Sequence, residues 1–151
     1  MARAPFQVLV LLYRFKSHSI EYCIFNRADF DNDLWQFISG GGEDGESGVD
    51  AAKRELLEET GIKNNDSLFM LKTTSSIPSC HFKEIVGKYP KLYVIPEYCF
   101  AIEFKEDIKL SHEHTEYKWS NYNTVMSMLK YDSNKTALYE LDMILSERSD
   151  L

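Results

Sequence analysis

Apolar residues occur along most of this chain in short runs, separated by polar stretches that contain glycine or proline. The first run, QVLVLLY at residues 7–13, is continuous and rich in strand-favouring residues, so it predicts a buried strand rather than a helix. By the same criteria we predict further strands at residues 20–25, 35–38, 67–73, 92–104 and 117–120. A loop containing Pro78 and Pro90 joins the strands at 67–73 and 92–104. At residues 39–42, SGGG, the backbone must turn or approach another group closely, and we expect the glycines to end regular structure.

Two segments carry the signals of helices. Ser47 can cap a helix that runs to residue 60, because Asp50 completes a capping box and Gly61 suits a left-handed C-terminal cap. The expected core stripe of this helix consists of Val49, Ala52 and Leu56. From residue 122 onward the chain is predicted to be helical, with apolar residues at helical spacing. They are Leu138, Leu141, Ile144 and Leu145.

Length and charge narrow the class of protein. A chain of 151 residues that is 44% hydrophobic predicts one domain spanning residues 1–151. Its net charge of −7 argues against a nucleic acid partner, because such proteins normally carry a basic surface. A small anionic substrate remains compatible with this charge if a bound divalent metal supplies positive charge locally.

The three cysteines are widely spaced and form no CxxC pair, which indicates neither a disulfide framework nor a zinc site. A reducing cytoplasmic location fits this usage best. We also expect no membrane partner, because no stretch approaches the roughly 20 apolar residues that cross a bilayer. Whether the chain is a monomer or a homodimer is left open by the sequence.

The predicted helix at 47–60 carries an unusual group of carboxylates near its end. Glu55, Glu58 and Glu59 occupy positions i, i+3 and i+4, so we expect them to converge on the face opposite the apolar stripe. The helix dipole disfavours negative charge there, and like charges at this spacing repel. Bound Mg²⁺ would compensate them, since it prefers oxygen ligands. The alternative is a solvated acidic face in which Arg54 pairs with Glu58.

The spacing across residues 40–62, GGGEDGESGVDAAKRELLEETGI, extends this pattern well beyond the helix. Five residues separate Gly40 from Glu46, and seven more separate Glu46 from the string RELLEETGI at 54–62. This spacing resembles the complete Nudix box, GX5EX7REUXEEXGU, where U is a bulky aliphatic residue. Every defined position of that motif is matched. The resemblance implies an α/β fold, namely a Nudix-type α/β/α sandwich around a mixed β-sheet, and a hydrolase that uses a divalent metal and water.

The same resemblance implies roles for individual residues. Glu55, Glu58 and Glu59 would bind Mg²⁺, for which Mn²⁺ could substitute, or would act as the base. Glu46 and Arg54 would form a supporting salt bridge that holds the helix to its preceding loop. The backbone carbonyl of Ser39 would reach the metal, and Ser39 and Gly40 would lie beside the substrate.

Three further strings resemble the bacterial dihydroneopterin triphosphate and dATP pyrophosphohydrolases. They are NRAD at 26–29, LWQ at 34–36 and HEHTEYKW at 112–119. This similarity implies one more metal-binding glutamate, Glu113, with Glu116 as the rival. It also places Arg3 and Arg27 near the substrate phosphates, although both could be ordinary surface arginines.

The expected activity is hydrolysis of a nucleoside or pterin triphosphate to the monophosphate and pyrophosphate. An ADP-ribose or nucleoside-diphosphate-sugar pyrophosphatase is the alternative, because Pro78 lies sixteen residues beyond Ile62, a spacing that resembles the proline marker of that class. A third possibility, from another class, is a non-catalytic nucleotide-sensing module. Retention of every box carboxylate favours an enzyme.

Overall fold

The computed structural model describes residues 2–27, 34–105, 108 and 114–148. These residues form one mixed seven-stranded sheet with helices on both faces. The strands are β1 (Arg3–Lys16), β2 (Ser19–Arg27), β3 (Trp35–Gln36), β4 (Ile38–Glu43), β5 (Phe69–Pro78), β6 (Val94–Glu103) and β7 (His114–Ser120). The helices are α1 (Gly48–Thr60), α2 (Lys83–Lys88), α3 (Tyr122–Met128) and α4 (Asp132–Arg148).

Strand β1 organises the sheet. Its N-terminal part pairs antiparallel with β4, its C-terminal part pairs antiparallel with β2, and it runs parallel to β6. Strand β5 continues the sheet beyond β6, while β3 and β7 pair with β2. The chain turns from β1 into β2 through Ser17 and His18, which both adopt positive φ, as a tight two-residue hairpin requires.

Alternate residues of β1 enter two separate cores. Leu9, Leu11 and Tyr13 pack on the face covered by α3 and α4, whereas Val8, Val10 and Leu12 pack on the face covered by α1. This alternation follows from the two-residue period of a strand that is buried on both faces. The predicted α/β/α sandwich around a mixed sheet is therefore confirmed. Within the described ranges, no helix is both long and apolar enough to span a membrane.

A strand is present in every predicted segment, but the bounds differ. The segment predicted as one strand at 35–38 is divided at Phe37 between β3 and β4, the strand predicted at 92–104 is shorter, and several others are longer than expected. The predicted strand at 67–73 extends to Pro78, and the loop that follows contains a short 3₁₀ turn (Ser79–His81) and helix α2. The helical C-terminal region is divided into α3 and α4, with Asn121 capping α3 through a hydrogen bond from the Thr124 amide.

The prediction that residues 39–42 end regular structure is wrong, because β4 continues through all three glycines. Their role is steric. A side chain at Gly40 would collide with the carboxylate of Glu55, and one at Gly41 would collide with the guanidinium of Arg3. These glycines allow charged groups to lie directly against an extended strand.

The stripe predicted for α1 is also partly wrong. Ala52 and Leu56 are fully buried, but Val49 is 38% exposed and Ala51 takes its place in the core. The buried face of α1 is thus rotated toward Glu55 and Glu59, which are buried as well. Consequently these two carboxylates lie at the border of the apolar face and not opposite it.

Glu140 of α4 stabilises an irregular part of β5. The pairing register with β6 shifts between Met70 and Thr74. In this stretch the backbone amides of Lys72 and Thr73 each donate to the Glu140 carboxylate at 2.8 Å, and the Thr73 hydroxyl donates at 2.6 Å. Although burial by itself raises the pKa of Glu140, these hydrogen bonds outweigh it, and the pKa lies below its usual value.

We predict that Glu140→Gln lowers the free energy of unfolding by about 1–2 kcal/mol at pH 7, because an amide cannot accept all three hydrogen bonds. A carboxylate whose pKa is lower in the folded state than in the unfolded state stabilises the folded state at pH values above its unfolded pKa, which is roughly 4.3 for glutamate. The difference from wild type should therefore shrink as the pH falls below about 4. Urea unfolding at pH 7 and pH 3.5 measures both effects.

The exposed Glu147, on the same helix, provides the matched control. Glu147→Gln should leave the free energy of unfolding unchanged at both pH values. Equal stabilities of Glu140→Gln and Glu147→Gln at pH 7 would contradict the assignment.

Candidate active site

Helix α1 is fixed at both ends by local hydrogen bonds. The Ser47 hydroxyl accepts from the Asp50 amide at 3.1 Å, and the Asp50 side chain accepts in return from the Ser47 amide. At the other end Gly61 has a φ of 77° and its amide donates to the Leu57 carbonyl at 2.9 Å. The capping box and glycine cap predicted from the sequence are thus both confirmed, and they set the rotation and length of the helix that carries the carboxylates.

Arg54 joins this helix to the preceding strand and loop. Its guanidinium donates to both carboxylate oxygens of Glu46, at 2.7 and 3.0 Å, and to the Gly41 carbonyl at 2.7 Å. Glu46 in turn accepts from the backbone amide of Glu43 at 2.8 Å. The salt bridge predicted between Glu46 and Arg54 is present, and the paired geometry is the strongest that arginine makes with a carboxylate.

The remaining face of the Arg54 guanidinium points to the other carboxylates of the helix. Nη1 donates to Glu55 at 3.0 Å and lies 3.4 Å from Glu58. It also lies 3.7 Å from the Glu43 carboxylate. One arginine is therefore shared among four carboxylates, and the pairing of Arg54 with Glu58 at i,i+4 is only one part of this cluster.

Glu55 occupies a particularly unfavourable position for a negative charge. It is 8% exposed and lies against the backbone of Gly40. Burial raises the pKa of Glu55 to about 7, and the neighbouring charges of Glu58 and Glu59 act in the same direction, whereas the hydrogen bond from Arg54 lowers it.

The three box carboxylates differ in exposure more than the sequence predicted. Glu59 is 4% exposed, like Glu55, but the Glu58 side chain is 52% exposed on the flank of the helix. Among the residues that the structure describes, no three His, Cys, Asp or Glu side chains are grouped closely enough to hold a metal ion. The expected convergence is therefore incomplete in this conformation.

The donors nevertheless fit a divalent cation in their chemistry and charge. Glu55, Glu58 and Glu59 present carboxylate oxygens, the ligands that Mg²⁺ prefers. The shared Arg54 leaves the cluster with excess negative charge. Burial raises the pKa of Glu55, and the charges of Glu58 and Glu59 add to this rise, so the ionised form of Glu55 is costly to maintain. A hard dication reverses this cost.

Ser39 and Gly40 lie between the carboxylates of α1 and a large cavity. As successive residues of a strand they face opposite sides of the sheet. Gly40 is covered by Glu55, whereas Ser39 lines a cavity of about 530 Å³. The Ser39 hydroxyl accepts from Gln7 Nε2 at 3.3 Å, which connects the cavity wall to β1.

The cavity is lined by polar and aromatic side chains of the sheet, of the segment after β5 and of the region at the start of α4. Of the predicted substrate-binding residues, Ser39 and Arg27 are among them. The remaining lining residues are Gln36, Ser76, Ile77, Pro78, His81, Phe82, Glu97, Tyr131 and Asn134. Pro78, noted in the sequence for its spacing, therefore belongs to the cavity wall.

Arg3 lies beside the site with its guanidinium held by neighbouring groups. It donates to the carbonyls of Ala4 and Phe6, at 2.9 and 2.6 Å, and to the Gln7 side chain. It also lies over the Phe82 ring, 5.1 Å from its centre. Burial lowers the pKa of Arg3, while the Glu84 and Glu55 carboxylates oppose that change. Its charge is thus located between the cavity wall and Glu55.

Glu113 and Glu116 are the two candidates for the further metal-binding glutamate. Glu113 lies outside the described residues. Glu116 is exposed on β7 and accepts from the Asn26 side chain at 3.1 Å across the β2–β7 pair.

Sequence reasoning missed several residues of the cavity. Glu97 is 3% exposed in the middle of β6, and Asn134 is 3% exposed at the start of α4. The available signal for Glu97 was a charged residue within a strongly apolar strand, because such residues are rarely buried without a partner. Asn134 and Tyr131 lie far along the chain from the box and carried no local signal.

Comparison with known proteins places this arrangement in a family. The NUDIX domain profile matches residues 4–141. A crystal structure from Listeria monocytogenes, described as a Nudix hydrolase, is 40% identical, with 97% of each chain covered and a TM-score of 0.85. The structure of the dihydroneopterin triphosphate pyrophosphohydrolase of Escherichia coli is 26% identical, with 93% of this chain and 98% of that chain covered and a TM-score of 0.74.

A curated relative points the same way. The RNA pyrophosphohydrolase of Sulfurovum sp. is 31% identical over 136 residues, covering 84% of this chain and 83% of the relative. The profile match spans most of the chain and includes the whole segment from Gly40 to Ile62. The chain therefore belongs to the Nudix family and is a hydrolase that acts on phosphorus-containing anhydrides.

Proposed function

We propose that this enzyme hydrolyses a nucleoside or pterin triphosphate to the monophosphate and pyrophosphate. The observation that carries this proposal is the position of Ser39 and Gly40, which join a ring-sized cavity to the carboxylate face of α1. A substrate whose ring occupies the cavity would place its phosphates at this junction. The 27% identity to the Escherichia coli dihydroneopterin triphosphate diphosphatase, over 90% of this chain, supports a triphosphate substrate.

The proposed ligands of Mg²⁺, for which Mn²⁺ can substitute, are the carboxylates of Glu55, Glu58, Glu59 and Glu113 and the backbone carbonyl of Ser39. A bound dication supplies positive charge beside the phosphate oxygens and makes water more acidic there. Arg3 and Arg27 add positive charge on the cavity side. Arg54 and Glu46 act as positioning residues, because their paired hydrogen bonds fix α1 against the loop that precedes it, and Arg54 also binds the Gly41 carbonyl of β4.

In the proposed reaction a water oxygen attacks phosphorus, and the bond from that phosphorus to the bridging oxygen breaks. Pyrophosphate leaves with the bridging oxygen, and the water proton passes to a carboxylate of α1. Glu55, Glu58 and Glu59 are the carboxylates proposed as acceptor of this proton. No covalent intermediate with the protein is required.

An ADP-ribose or nucleoside-diphosphate-sugar pyrophosphatase is the second candidate. The observation that favours it is that Pro78 lines the cavity at the end of β5. The two candidates use the same carboxylates and differ in what the cavity accepts.

A panel of substrates with Mg²⁺ and product analysis tests the proposal. The panel contains nucleoside triphosphates, dihydroneopterin triphosphate, ADP-ribose and a 5′-triphosphate RNA. We expect monophosphate and pyrophosphate from a small triphosphate, loss of turnover with excess EDTA, and recovery on adding Mg²⁺ or Mn²⁺.

Each alternative has its own outcome. AMP and ribose phosphate from ADP-ribose, without triphosphate turnover, would select the second candidate. Undiminished turnover in excess EDTA would exclude the metal-dependent mechanism. Binding without turnover of any compound would favour a nucleotide-sensing module.

Substitutions in α1 and its loop should separate metal ligands from supports. Glu59→Gln should lower kcat by more than about a hundredfold, because it removes a proposed ligand with little change in shape. Glu46→Gln should lower kcat by about 10- to 100-fold, the range found when a supporting partner is lost. Steady-state kinetics measure both effects, and Glu147→Gln, distant from the site, serves as the matched control. Near-wild-type kcat for both site variants would refute the assignment.

Replacing Glu113 and Glu116 separately with glutamine tests which of them is the further metal ligand. Glu113→Gln should lower kcat at saturating Mg²⁺ without lowering the Tm measured in EDTA. Glu116→Gln should be nearly silent in rate and stability, because glutamine can still accept from Asn26 and exposed pairs contribute only about 0–1 kcal/mol. The reverse ranking would assign the role to Glu116.

A further inference from the structure

A second buried carboxylate lies in the cavity, away from the α1 cluster. Glu97 is on β6, is 3% exposed and lines the cavity. It pairs in register with Gln7 of β1, on the sheet face that also carries Cys99 and Ala101 of the α4-side core. A charged group at such a position is rare without a partner, so its surroundings indicate its purpose.

A chain of hydrogen bonds fixes how Glu97 can interact. The Phe37 amide donates to Asn134 Oδ1 at 2.9 Å, which orients the Asn134 amide. Asn134 Nδ2 then donates to the Ser133 hydroxyl at 3.3 Å. Because this hydroxyl accepts from Asn134, its own hydrogen is available for the Glu97 carboxylate, with which Ser133 is hydrogen-bonded. The chain therefore ends on Glu97 as an acceptor.

The two oxygens of this carboxylate differ in their hydrogen bonding. Among the described residues nothing donates to Glu97 Oε1, although it is buried. Burial raises the pKa of Glu97, and the hydrogen bond from Ser133 opposes that change. The terminal torsion of a glutamate rotates easily, so the oxygen can turn toward the cavity without movement of the strand. An unmatched acceptor in a cavity calls for a donor on the ligand.

The other walls of the cavity suit a flat heterocycle. The rings of His81, Phe82 and Tyr131 line it, together with the apolar Ile77 and Pro78. Such walls bind a ring by its faces and carry little information about its edge. Discrimination between rings must then come from polar groups that meet the edge.

We propose that Glu97 determines specificity by accepting hydrogen bonds from two adjacent donors on the ring of the substrate, a ring N–H and an amino group. This inference rests on the proposed function in taking the cavity as the binding site of that ring. The 2-amino-4-oxopyrimidine ring, shared by guanine and pterin, presents those two donors side by side. Adenine and cytosine instead place an acceptor nitrogen beside the amino group, which a carboxylate repels.

Equilibrium binding of GMP and IMP tests the proposal without turnover. The two nucleotides differ in the 2-amino group that Glu97 would read. By calorimetry in EDTA, wild type should bind GMP about tenfold or more tightly than IMP, since a site built for a donor rejects an analogue that lacks it. Glu97→Gln should reduce this difference severalfold, because its single amide oxygen can accept from only one of the two donors and its NH2 group opposes the other. Equal binding by wild type, failure to bind either nucleotide, or an undiminished preference in Glu97→Gln would overturn the proposal.

Stability and a matched variant exclude a structural explanation. Glu97→Gln removes a buried charge with an unmatched oxygen, so its Tm without ligand should equal or exceed that of wild type. Glu103→Gln, on the same strand but outside the cavity, should keep the preference for GMP. A Glu97→Gln variant that melts well below wild type would mean that the carboxylate serves the fold.

Hydrolysis of GTP, ITP and dihydroneopterin triphosphate then shows whether the ring that Glu97 recognises is guanine or pterin. The same assay separates this inference from the proposed function. Loss of kcat/KM in Glu97→Gln, mainly through KM, should be largest for the natural ring. Triphosphate hydrolysis without a role for Glu97 would leave the proposed function standing and overturn the inference. A preference for GMP without triphosphate hydrolysis would do the reverse.

Discussion

The arrangement of the site depends on the guanidinium of Arg54. It holds the Gly41 carbonyl in β4, Glu46 in the connecting loop and Glu55 in α1, so one side chain fixes three successive parts of the chain relative to one another. Its fixed planar fork suits this task better than the flexible ammonium of a lysine.

The same interaction explains the electrostatic character of the site. Four carboxylates surround the Arg54 guanidinium. Glu55 is the most buried of the four, and burial raises its pKa to about 7. Keeping Glu55 ionised at this buried position is therefore unfavourable. Such a cost is expected at functional sites, where stability is exchanged for a property that only the ligand-bound state uses.

What the sequence could predict follows from the range of the interactions involved. Helix α1 was placed correctly because Ser47, Asp50 and Gly61 act on their immediate neighbours, and the box motif follows from fixed spacing within one loop and one helix. The continuation of β4 through Gly40 and Gly41 was missed because it depends on Arg3 and Glu55 packing over the strand from distant positions. The cavity was missed for the same reason. Glu97, Tyr131 and Asn134 come together only when β6 and α4 are assembled.

Gly40 and its neighbour Ser39 also divide the molecule into two parts that can change independently. The two residues face opposite sides of the sheet, so the carboxylate cluster and the cavity are separated by the thickness of one strand. The carboxylates come from α1, whereas the cavity walls come from the segment after β5, from β6 and from the start of α4. Substitutions in those walls can alter which ring is accepted while leaving the distance from the junction to the carboxylates unchanged. Under the proposed function, such a fold could acquire new substrates by exchanging a few side chains on one face, with the carboxylates of α1 on the other face held constant.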